Sequence, residues 1–134
     1  MKAAILYAPD SAPVYGDFAE PTAGQGSQIV ELVAAGIHQL TRSVAAGRHY
    51  SRGGVFPVIP GLNAVARTAD GKLVSGSGAG SVAAAGIKAQ IPVYLELITS
   101  GLVQVPFRTF PLSDVSAAWT ASAETGPRVV LIRD

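Results

Sequence analysis

The chain contains no cysteine in 134 residues. Within it, disulfides, thiolate nucleophiles and thiolate-held zinc or iron–sulfur centres are therefore excluded, and a reducing, cytoplasmic setting fits best. It also has little charge of either sign, 14% in all, with ten Lys and Arg against nine Asp and Glu. Because no run of basic residues stands ready to neutralise phosphates, nucleic acid is not an expected partner. No apolar stretch approaches the roughly 20 residues of a bilayer-spanning helix, so no membrane partner is expected. The opening Met1-Lys2-Ala3-Ala4-Ile5-Leu6-Tyr7 meets Pro9-Asp10 before an export-type apolar region can develop, and it reads as a first strand. Motifs for nucleophilic catalysis are missing too. There is no Gly-x-Ser-x-Gly elbow and no Ser-x-x-Lys pair, and the carboxylates are too scattered to form a catalytic pair by spacing.

What is present is apolar and turn-rich: 49% hydrophobic residues with 15 glycines and nine prolines. That composition describes one packed globular domain. Strands are expected at Ala3–Tyr7, Gln28–Ala35 and Ala64–Thr68, with Asp70-Gly71 turning a hairpin into Lys72-Leu73-Val74 through positive-φ residues. Between them Gln39–Ala46 has Leu40, Val44 and Ala45 at helical spacing, and Gly47 ends the helix. From Ser75 to Gly86 the composition collapses to Ser, Gly and Ala with a single Val, which reads as a connection between two halves. Beyond it, Ile91–Ser100 reads as a helix with Pro92 in its first turn, followed by a strand over Val103, Val105 and Phe107. Pro111-Leu112-Ser113-Asp114 opens a short helix capped by Ser113 or Asp114, with Val115, Ala118 and Trp119 pointing inward, and Arg128–Ile132 is a last strand.

Two ordered stretches resemble the medium-chain dehydrogenase/reductase superfamily, in its zinc-free quinone-oxidoreductase branch. One runs from Met1-Lys2-Ala3-Ala4 through Gly36-Ile37-His38-Gln39-Leu40-Thr41-Arg42 to Pro60-Gly61-Leu62-Asn63-Ala64. The other is Ile98-Thr99-Ser100-Gly101-Leu102 with Phe110-Pro111-Leu112-Ser113-Asp114-Val115 and Arg128-Val129-Val130-Leu131. The resemblance implies a mainly β fold with a few short helices (α+β), a GroES-like, partly open β-barrel. This would be one substrate-side domain over 1–134, made of 1–74 and 87–134 joined by 75–86. In the family these stretches flank a Rossmann nucleotide-binding domain, and a βαβ unit needs about 30 residues, so the interval from Val74 to Ile91 cannot hold even one. An engineered or ancestral-type deletion is the leading explanation, and a natural truncated paralogue is the alternative.

Gly76-Ser77-Gly78-Ala79-Gly80-Ser81 superficially invites a dinucleotide reading, but its third small position falls on Ser81 and no parallel strand follows promptly. A flexible connection is the preferred interpretation, so NADPH is a cofactor of the full-length family and none is expected in this chain. By the resemblance, His38 stands where zinc-dependent relatives carry a catalytic Cys and Leu62 where they carry a ligating His. The metal set is thus broken and no metal is expected. Thr41 replaces the Asp common at its family position. The resemblance places His38, Asn63 and Tyr50 beside the cleft as candidate catalytic groups. His38, Arg48, His49, Tyr50 and Asn63 are the candidate contacts for a quinone or enone, with an exposed loop after the helix as the preferred alternative for Arg48-His49-Tyr50. A purely structural His38, bonded to backbone at a helix start, is the preferred alternative. Trp119 is expected to anchor the core.

Three functions follow from these readings. The first is a truncated or engineered substrate-side domain of an NADPH-dependent quinone or enone reductase, inactive alone because hydride chemistry belongs to the nicotinamide. The second is a non-catalytic binding or self-associating module, a homo-oligomer burying the apolar surface that the missing domain uncovers. The third is weak cofactor-independent activity around His38.

Overall fold

The computed structural model describes residues 1–48, 55–77 and 84–134. A two-stranded sheet pairs β1 (Lys2–Ile5) antiparallel with β2 (Val14–Asp17), from Lys2 opposite Asp17 to Ile5 opposite Val14. β1 is buried on both faces, as its unbroken apolar run Ala3-Ala4-Ile5-Leu6 requires. Its continuation, Leu6, exchanges two backbone hydrogen bonds with Val58 at 2.8 and 2.9 Å. β2 was not expected, because four residues between Pro13 and Pro21 carry only turn punctuation. Gly16 fits there for a packing reason, since a Cβ on it would sit 3.2 Å from Ile5 Cδ1.

The main sheet is five-stranded, in the order β5-β4-β3-β7-β6, from β3 (Glu31–Ile37), β4 (Asn63–Arg67), β5 (Leu73–Ser77), β6 (Phe107–Pro111) and β7 (Arg128–Ile132). β3 pairs with β7, Ile37 opposite Val129 and Ala35 opposite Leu131, so early and late parts of the chain share one sheet. The sheet is open and no closed barrel is present among the described residues. With the α-helices α1 (Gln39–Ala45), α2 (Ala84–Thr99) and α3 (Val115–Ala121) the fold is mixed α/β, and the 16-residue α2 is not one of the few short helices foreseen. A short 3-10 turn, Leu112–Asp114, leads into α3.

One face of the sheet supplies Ile37, Val129 and Leu131 to the core, where they meet Ala4 from β1 and Val115 and Ala118 from α3. Tyr15, Phe110, Leu112 and Trp119 pack around this cluster, so Trp119 is a half-buried flank rather than the centre.

Several local readings change. The hairpin turns through Ala69-Asp70-Gly71, with Thr68 N–H bonded to Lys72 O at 2.9 Å, and of the expected pair only Gly71 takes a positive φ, +83°. In α1 it is Thr41 and Ala45 that are buried, whereas Leu40 is exposed. The end of that helix follows expectation: Gly47 (φ +72°) bonds Val44 O, and Arg48 N–H reaches back to Ser43 O, satisfying carbonyls the helix leaves open. The Ser/Gly/Ala stretch begins inside β5 and ends inside α2, with 78–83 outside the described residues. α2 starts at Ala84, which leaves Pro92 in mid-helix rather than in a first turn. The strand foreseen over 103–107 begins only at Phe107, because pairing with β7 starts at Phe107 opposite Arg128, and Val103 and Val105 are exposed. Neither Ser113 nor Asp114 caps α3; the N–H and the hydroxyl of Ser113 both donate to Asp134 Oδ1, at 3.3 and 3.0 Å.

Candidate functional site

The site grows from the point where β3 gives way to α1. His38 is the residue between them, extended (φ −137°, ψ 177°) at the N-cap position but making no side-chain cap bond. The imidazole instead points to the start of β4, where Asn63 Nδ2 lies 2.8 Å from His38 Nε2. The alternative of an imidazole satisfied by backbone at its helix start does not hold, because its partner is a side chain 25 residues away. β3 and β4 are direct neighbours in the sheet, so hydrogen bonds of the ladder fix both ends of the pair.

Electrostatics disfavour protonation of this imidazole. Partial burial disfavours the imidazolium, and the nearby Arg128 guanidinium adds repulsion, so the His38 pKa lies below its ordinary value. With Nε2 accepting from the Asn63 amide, the ring proton belongs on Nδ1, which can donate to a second acceptor.

His38 borders an open cavity of about 260 Å³ whose wall includes Gln39, Ser122, Glu124 and Arg128. That is near the lower end of the size range for small-ligand sites. A second shallow concavity, about 390 Å³, spreads over Ala34, Gly36, Val65 and Val130, and Asn63 forms part of its rim. The His38–Asn63 bond therefore connects two hollows, one polar and one floored by small apolar residues. A clamp absent from the sequence reading holds the polar wall in place. Arg42 of α1 stacks 4.7 Å over the Trp119 ring, donates to Trp119 O at 2.7 Å and to Ser122 Oγ at 3.0 Å, and so ties α1 to α3. No sequence signal could find it, because the partners lie 77 and 80 residues apart.

Of the expected contacts, His38 and Asn63 come together. Arg48 does not join them; it is exposed and pairs with Asp10 at 3.4 Å. His49 and Tyr50 lie outside the described residues. Thr41 is 2% exposed and its hydroxyl has no hydrogen-bond partner among the described residues. An aspartate in that place would be a buried unpaired charge, which is far costlier than a hydroxyl.

Among the described residues no three His, Cys, Asp or Glu side chains gather as a metal site. Of the Gly-rich passage, Gly76 lies within β5, which among the described residues is an edge strand paired antiparallel with β4, and 78–83 lie outside the described residues. Among the described residues the one parallel pair, β6 with β7, is joined through Leu112–Asp114 and α3 without a glycine-rich phosphate loop. No described helix is long and apolar enough to cross a membrane.

Comparison with known proteins gives a likeness of fold. No family model matches the chain, and no curated protein does. Among solved structures, the chain is similar to the quinone oxidoreductase from Thermus thermophilus, a structure described together with its complex with NADPH. Identity is 21% and the TM-score 0.53; the match covers 96% of this chain and 51% of that one. The chain thus spans about half the length of the protein it matches.

Proposed function

We propose that this chain is the substrate-side domain of a quinone- or enone-reductase-type fold, holding a carbonyl compound beside His38 without carrying out hydride transfer by itself. The single observation that carries this reading is the His38–Asn63 pair, an imidazole whose protonation is disfavoured, held by a side-chain amide at the edge of a small open cavity. The likeness of nearly the whole chain to about half of a quinone oxidoreductase supports the choice of substrate class. The chain's own residues have a limited set of tasks. Asn63 orients the ring, Nδ1–H of His38 donates to the carbonyl oxygen, and the Arg42 clamp keeps the Ser122 wall in register. Arg128 biases the cavity toward electron-rich oxygen atoms. Electrons must come from a nicotinamide, and the described residues form no cradle for one, so no redox step is assigned to this chain.

Calorimetric titration with NADPH and with a soluble naphthoquinone tests the reading. No saturable NADPH binding is expected, together with quinone binding that weakens about tenfold in His38→Ala, the loss of one good hydrogen bond. Micromolar NADPH affinity, or steady oxidation of NADPH by purified chain, would overturn it.

A further inference from the structure

α2 stands apart from the rest of the molecule. From Ala85 to Thr99 only Leu97 is even half-buried, and among the described residues no other element packs closely against the helix. Yet its sequence is not that of a solvated helix. Ile87, Ile91, Tyr94, Leu95 and Ile98 fall at helical spacing on one stripe about 100° wide, and each is 36–61% exposed. Glu96 lies 100° beyond that stripe and Pro92 60° beyond it, while Lys88 sits at its edge beside Leu95.

The helix could not stand on its own. Isolated helices of this length are marginal in water, and an interior proline costs about 3 kcal/mol more. Pro92 removes one ladder bond in the middle of 16 residues, and Gly86 weakens the first turn. An α2 that persists therefore requires a cover, which no element among the described residues provides.

The exposed surface leaves room for such a cover. A compact monomer of 13.7 kDa exposes about 6,600 Å², whereas this chain exposes 9048 Å², an excess of roughly 2,400 Å². An obligate interface takes about 1,000–2,500 Å² from each partner. Leu102, Val105 and Phe107, all exposed, extend the apolar surface beyond the helix end.

We propose that the cover is a second copy of this chain, with the two α2 stripes packed antiparallel about a twofold axis. The stripe is self-complementary in that sense. With the axis between Pro92 and Val93, Ile87 of one copy faces Ile98 of the other and Ile91 faces Tyr94, apolar against apolar, with no charge in the seam. An isologous contact requires one surface that satisfies itself when turned through 180°, and this spacing provides it.

Sedimentation equilibrium decides the matter. The expected mass is twice 13.7 kDa, and dilution to monomer should melt α2, seen as lost helical circular dichroism while Trp119 fluorescence holds. Ile91→Glu and Ile98→Lys should each weaken association by about 100-fold or more, as for residues at the centre of an interface, while Glu96→Gln, off the stripe, leaves it unchanged. Because the chain has no cysteine, mixing Ile91→Cys with Tyr94→Cys chains under mild oxidation should give the mixed disulfide. A monomer at every soluble concentration, a dimer indifferent to both charged variants, or crosslinks only between identical variants would overturn the proposal. None of these outcomes bears on NADPH or quinone binding, so it stands or falls apart from the function proposed above.

Discussion

α2 and α3 are both helices, and they are held in opposite ways. α3 has seven residues and buries Val115 and Ala118 almost completely against β7 and Ile37, while α2 has 16 and buries none fully. Length and propensity favour α2, but tertiary contact favours α3. A short helix pressed on a sheet outlasts a long one in solvent, because most helical stability in proteins comes from a covered face. The candidate site sits in the region that α3 holds: Arg42 binds the end of α3, His38 follows β3 directly and Asn63 begins β4 of the same sheet.

The sharpest way to break this contrast is to remove equal volume from each region. Leu131→Ala empties part of the core and should cost about 2–5 kcal/mol in urea unfolding. The same change at Leu95, made on dilute monomer, should stay within about 0.5 kcal/mol. Comparable losses would mean that α2 is part of the same cooperative unit. Next, Pro92→Ala restores a ladder bond and should favour α2 by up to about 3 kcal/mol, raising helicity in dilute solution without moving the core transition. Circular dichroism at two protein concentrations reads it directly.

Much of the α3 region was legible in sequence. Alternating or continuous apolar runs marked β1, β3, β4 and β7, and Gly47 (φ +72°) marked a helix end because only glycine enters that conformation cheaply. His38 and Asn63 were legible through family resemblance, although their hydrogen bond was not, since it depends on β3 lying beside β4. What escaped depends on tertiary context. β2 is too short and too closely bracketed by prolines to display a period, and the start of α2 was misplaced because Pro92 suggests a first turn. Arg42 gave no sign, because its partner Trp119 becomes a neighbour only after the sheet has formed.

The clamp provides a smaller test. Arg42→Ala removes the stack on Trp119 and two charge-assisted bonds, and should cost about 2 kcal/mol while loosening the Ser122 wall. Arg42→Lys should recover only part, since an ammonium lacks the planar fork. Quinone affinity should fall in the same order, measured by calorimetry, and an unchanged affinity would detach the clamp from the site.

The smallest effect is in the pH dependence. The folded His38 pKa lies below its ordinary value of about 6.5, so the unfolded chain binds the proton more readily. The contribution is complete above that ordinary value and is lost as the pH falls through it toward the folded value. Subtracting the urea midpoints of His38→Gln from those of the wild type should show a difference that shrinks on acidification in that window; a difference growing toward acid would contradict a lowered His38 pKa.

Amide hydrogen exchange, followed residue by residue at high and at low protein concentration, tests the contrast between the two helices most directly. The expected result is protection of β3, β7 and α3 that does not change with dilution, beside protection of Ala85–Thr99 that disappears as copies separate. Protection of α2 equal to that of α3 in dilute solution would contradict it, because the long helix would then be held by its own chain.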